Sequence, residues 1–142
     1  MSISIPIRRY TMENTKENMS LILSYFNTDK WKKIKKKDGL YRRKNTSFYW
    51  QVEKDNENIN VDIWGIGSLG SIHSSISGRR PLSIQKIWDN MSDEFLLFLK
   101  DHDISQELNV RYIKTSPFKL RMIIMLLLTF IISFLIVVYT YY

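Results

Sequence analysis

Apolar and polar positions alternate from the start of the chain. Ile3, Ile5 and Ile7 are separated by Ser4 and Pro6, a two-residue period that predicts a strand. Met19, Ile22, Leu23 and Phe26 then recur at i, i+3, i+4 and i+7, which predicts a helix over 15–27. Asn14 and Glu17 stand at capping-box spacing before it. Residues 31–37 and 40–44 flank Asp38-Gly39, a two-residue hairpin signal. Phe48, Trp50 and Val52 alternate with Tyr49, Gln51 and Glu53, and Ile59, Val61 and Ile63 alternate with Asn60 and Asp62. The polar stretch 55–58 between these runs predicts a second hairpin. Ile72, Ser74 and Ile76 suggest one further short strand.

Beyond Pro81, residues Ile84, Ile87, Trp88, Met91, Phe95 and Leu99 trace one helical face, with a break expected near Ser92. Strand signals cluster between two helices, which predicts an α+β fold. The expectation is a small antiparallel sheet of four to six strands with two helices on one face. This domain would occupy 1–104, followed by a basic connector over 105–121 and a transmembrane helix over 122–142.

The last segment differs from everything before it. Residues 122–142 carry no charge, and Thr129, Ser133 and Thr140 alone interrupt the apolar run before the terminal tyrosines. A helix of that length spans about 30 Å, the thickness of a bilayer hydrocarbon core. Arg111, Lys114, Lys119 and Arg121 precede it with no acidic residue among them. By the positive-inside rule these four residues set the topology and place the N-terminal domain in the cytoplasm. Residues 1–25 lack the apolar run of a secretory signal. The expected class is therefore a single-pass, tail-anchored membrane protein.

Length and composition narrow the chemistry. A chain of 142 residues holds one domain rather than a two-domain cofactor enzyme. The absence of cysteine excludes disulfide scaffolds, thiolate metal sites and a cysteine nucleophile. His73 and His102 are the whole histidine supply. In Asp101-His102-Asp103, neighbours in sequence converge poorly on one ion, so His102 reads as a helix-terminal residue rather than a metal ligand. No spacing of acid, base or nucleophile suggests catalysis, and Glu53 and Asp62 read as solvent-facing strand residues. No cofactor, metal or catalytic residue is expected.

The 35 charged side chains, 21 basic and 14 acidic, leave a net charge of +7. Lys30, Lys32, Lys33, Lys35, Lys36, Lys37, Arg42, Arg43 and Lys44 crowd into the first hairpin, interleaved with Trp31 and Tyr41. Such a cluster suits an anionic surface, either lipid headgroups or nucleic-acid phosphates. It equally suits a solvated hairpin whose lysines protect a sheet edge. Lipid ranks above nucleic acid because the anchor already holds the domain near an anionic leaflet. In strand-register terms Lys33, Lys35 and Lys37 would share one face, with Lys32 and Lys36 on the other.

Residues 65–70 spell G-x-G-x-x-G, but neither a following helix nor a βαβ unit accompanies them. A looser reading makes Gly65, Gly67 and Gly70, with Arg79 and Arg80, a candidate anion loop. Asn45-Thr46-Ser47 is a glycosylation sequon that a cytoplasmic domain would never use. The function expected is that of a non-enzymatic adaptor or regulator at the membrane surface, with the bilayer, anionic lipids and a protein as partners. The rival readings are an accessory subunit of a larger membrane complex and a membrane-tethered nucleic-acid-binding or enzymatic domain.

Overall fold

The computed structural model describes residues 3–66, 72–73, 82–115 and 118–141. Its order is β1 (Ile3–Glu13), α1 (Lys16–Phe26), β2 (Trp31–Lys33), β3 (Leu40–Arg43), β4 (Phe48–Lys54), β5 (Asn58–Ile66), β6 (Ile72–His73), α2 (Leu82–Asp101), β7 (Gln106–Thr115) and α3 (Phe118–Tyr141). The fold is α+β, as the clustering of strand signals predicts. The antiparallel sheet runs β2-β3-β4-β5-β1-β7, with β6 paired to β5. Contacts separate an α+β unit, Ile5–Ile113, from a second unit made mainly of α3.

Register decides which side chains meet. Tyr41, Trp50 and Ile63 lie opposite one another across three strands, and Val52, Val61 and Tyr10 form the next row. Both rows are buried and belong to one core. The two helices of this unit pack on that same face. Phe26 of α1 stacks on Tyr41 at 4.6 Å and meets Trp31 edge-on. Along α2, Trp88 meets Phe48 and Phe95 meets Tyr10. Gly65 lies within β5 beneath these rings. A Cβ there would stand 3.0 Å from Phe48 and 3.4 Å from Trp88, so its bare backbone makes room for the aromatic pair.

Four expectations change. Thr15, not Asn14, caps α1, accepting a hydrogen bond from the Asn18 N–H at 3.0 Å. The apolar face of α1 turns so that Leu23 is exposed, while Tyr25 packs against Phe95 and Phe98. Helix α2 runs unbroken through Ser92, whose buried hydroxyl is bonded to Tyr10 Oη at 2.7 Å and receives Arg8 Nη1. Residues 106–115, expected as connector, form a ten-residue strand of the sheet. Only β6 represents the strand expected around 72–76, and the rest of that segment lies outside the described residues.

Helix α3 holds an 18-residue stretch, Ile123–Thr140, that is long and apolar enough to cross a membrane, and none of it is buried within the protein. The hydroxyls of Thr129 and Thr140 bond back to carbonyls one turn earlier, so neither interrupts the helix.

Candidate functional site

The basic hairpin exists, in a different form from the one the Asp38-Gly39 signal implies. β2 ends at Lys33, and residues 34–39 form a longer loop closed by Ile34 N–H to Leu40 O at 2.8 Å. Gly39 adopts φ +68, and a Cβ there would collide with the Val52 carbonyl. Gln51 ties the loop down, donating from Nε2 to Asp38 O at 2.9 Å. Lys35, Lys36 and Lys37 therefore sit in a loop and share no strand face. On the strands, Lys33 lies opposite Tyr41 on the helix side, and Lys32 lies opposite Arg42 on the other.

Acidic partners take up part of the charge. Glu94 of α2 binds both Lys30 at 3.0 Å and Arg43 at 3.2 Å. Burial pushes the Glu94 carboxyl up, but the Lys30 hydrogen bond and the Arg43 charge outweigh it and hold the group below its ordinary value. Arg43 also lies over the Trp31 ring, 5.1 Å from its centre. Lys33 pairs with Asp38 and Lys37 with Glu53. Of the nine hairpin cations, Lys32, Lys35, Lys36, Lys44 and Arg42 have no acidic partner among the described residues. The four lysines are exposed and Arg42 is half-buried.

The face of the sheet away from α1 and α2 carries a feature that alternation concealed. Asp62, expected to meet solvent, is 1% exposed. Arg9 grips it with two bonds, Nε to Oδ1 at 2.7 Å and Nη2 to Oδ2 at 2.9 Å. Arg111 Nη1 adds a third at 2.6 Å. Glu53 stands beside both arginines, at 3.5 Å from Arg9 and 3.3 Å from Arg111. The hydrogen bond to Asp62 raises the Arg9 guanidinium further above its already high value. Arg111 is thus a sheet residue bound to two carboxylates. It is not the unpaired cation of a connector that its place in the sequence suggests. Lys114 is exposed, and Lys119 and Arg121 fall in the first turn of α3 with side chains outside the described residues.

The rest of the candidate anion loop, Gly67, Gly70, Arg79 and Arg80, lies outside the described residues. Gly65 leaves room for Phe48 and Trp88. His102 closes α2, with Nδ1 2.9 Å from Phe98 O and its ring against Phe98. Among the described residues no cluster of histidine and carboxylates is placed to hold a metal ion. An open groove of about 580 Å³ runs between α1 and the β2–β3 hairpin, lined by Leu23, Phe26, Trp31, Lys33 and Tyr41. Its lining mixes apolar side chains with hydroxyls, the Asn27 amide and one cation.

Comparisons of the chain with protein-family models, with curated proteins and with solved structures found no match.

Proposed function

We propose that the chain is a single-pass, membrane-anchored, non-enzymatic protein whose α+β unit works at the cytoplasmic surface of the bilayer, recruiting or regulating a protein partner. One observation supports the anchor: the 18-residue stretch Ile123–Thr140 is apolar enough to cross a membrane and finds no cover within the protein. Each large apolar side chain left in water forgoes about 1.5–3 kcal/mol, so the helix forgoes on the order of tens of kcal/mol unless lipid covers it. Lys114, Lys119 and Arg121 flank the span on one side and favour a cytoplasmic domain. The exposed Lys32, Lys35, Lys36 and Lys44 add attraction to anionic headgroups, about 1 kcal/mol for each lysine close to the surface.

The test is fractionation. The full chain should stay in membranes washed at alkaline pH, and a chain lacking 118–141 should become soluble while keeping its fold by circular dichroism. Release of the full chain by the wash would overturn the anchor. Glycan on Asn45, which is exposed in the β3–β4 turn, would overturn the orientation in a eukaryotic host.

A further inference from the structure

The two ends of the strand order are built differently. β2 is three residues long and carries Lys32 and Lys33 on a sheet edge, the usual protection against unwanted pairing. β7 is ten residues long, has no glycine or proline, and has β1 as its one neighbour among the described residues. Alternate side chains along it, Leu108, Val110 and Tyr112, are 56%, 48% and 66% exposed. A long edge with exposed apolar residues on one face, and no further strand beside it among the described residues, offers a row of backbone donors and acceptors that need partners. Lipid tails supply none, whereas another strand supplies all of them.

We propose that β7 pairs antiparallel with β7 of a second copy, continuing the sheet across a two-fold axis at Val110. An axis normal to the sheet sets residues of the same face opposite one another. Centred on Val110, it places Val110 opposite Val110, Leu108 opposite Tyr112, and Asn109 opposite Arg111. The exposed apolar residues then form three cross-strand pairs, and no like charges meet. Moving the centre to Arg111 sets the two guanidinia face to face and Leu108 against Lys114. Moving it to Asn109 leaves Tyr112 against Gln106. Self-complementarity therefore selects the Val110 register.

A single strand pair is smaller than the roughly 1,200 Å² typical of stable soluble complexes. Two chains confined to one bilayer meet at a raised effective concentration, which compensates for the small contact. That clause rests on the anchor proposed above, whereas the register does not.

The chain has no cysteine, so a single introduced thiol reports contact cleanly. Opposed strand residues hold their Cβ atoms about 4.5–5.5 Å apart, within a small adjustment of the roughly 3.5–4.5 Å that a disulfide needs. Full-length Val110→Cys in liposomes should form a disulfide dimer under mild oxidation several times faster than Lys36→Cys, placed in the exposed hairpin loop. A rate no greater than that of Lys36→Cys would overturn the pairing. Val110→Lys sets two ammonium groups opposite each other and should abolish the dimer trapped by an amine-independent cross-linker, while Val110→Ile should keep it. A dimer unchanged by Val110→Lys would also overturn the proposal. Release from membranes by alkaline wash together with retained Val110→Cys cross-linking would sink the anchor and leave the pairing standing.

Discussion

The two faces of the sheet are made from the same strands by alternate residues, and they cohere by different physics. On the helix side, Trp50, Val61, Ile63 and Tyr10 are shut in with Phe26, Trp88 and Phe95, and area removed from water does the work. On the other side, Asp62 is shut in by two arginines, and charge-assisted hydrogen bonds offset the cost of burying a carboxylate. On the first face a purely apolar position such as Ile63 or Val61 asks chiefly for a side chain of fitting volume, while Tyr10 must also keep its bond to Ser92. The second tolerates only the pairing it has, because removing one member strands the others. A small domain with one helical layer thus closes its second face with ions instead of a second core.

That contrast can be broken most forcefully at Trp50, which is 1% exposed. Trp50→Ala should destabilise residues 1–115 by about 3–5 kcal/mol, through lost transfer energy and the cavity left behind. Urea unfolding would show it, and a loss below about 1 kcal/mol would mean that the helix face collapses around the gap.

Asp62→Ala comes next. Arg9 and Arg111 are part-exposed and can recover some hydration, so the expected loss is about 2–3 kcal/mol, below that for a fully buried pair. The sharper measurement is a cycle with Arg111→Met. If both changes together cost about as much as Asp62→Ala alone, the two act as one unit. Strict additivity would reduce the network to independent surface contacts.

The smallest effect belongs to pH, at the rim of the helix side. The folded Glu94 carboxyl titrates below its unfolded value of about 4.3, so its contribution is present above that pH and is lost as pH falls through the lower folded value. Because Glu94 is part-exposed, the contribution should be under about 1 kcal/mol. Glu94→Gln should therefore lower the urea midpoint at pH 7, by a gap that narrows as pH falls below about 4. A gap that stays constant as the solution is acidified would assign the effect to packing rather than charge.

Several features were legible because they are local. The second hairpin follows from alternation plus a polar turn, and the Asp55 carboxylate does cap that turn by accepting the Glu57 and Asn58 N–H groups. The helical face of α2 was legible from Trp88, Phe95 and Leu99, all buried, whereas Ile87, expected on the same face, is exposed. The break near Ser92 was wrongly expected because a serine inside a helix looks like an interruption until Tyr10 and Arg8 arrive to bond it. The connector expected over 105–121 overlooks an alternation that the sequence does carry, Leu108, Val110 and Tyr112 against Glu107, Asn109 and Arg111. What no local pattern records is the pairing of β7 with β1, about a hundred residues earlier. The basic hairpin was found, but its count of charges overstated its free charge, since Glu94 and Glu53 neutralise part of it from other elements.

By itself, the sequence determined the periods: which residues share a helix face, which alternate on a strand, and that 122–142 is apolar all round. These depend only on neighbours a few residues apart, whose geometry the backbone dictates. Only the tertiary structure decided that Asp62 is an anchor point for ions and that β7 is an edge of the sheet. Arg9 and Arg111 stand 53 and 49 positions from Asp62, and no local period records a partner at that distance. Folding the strands side by side brings them within 3 Å, where a charge that looked solvated becomes the centre of a network.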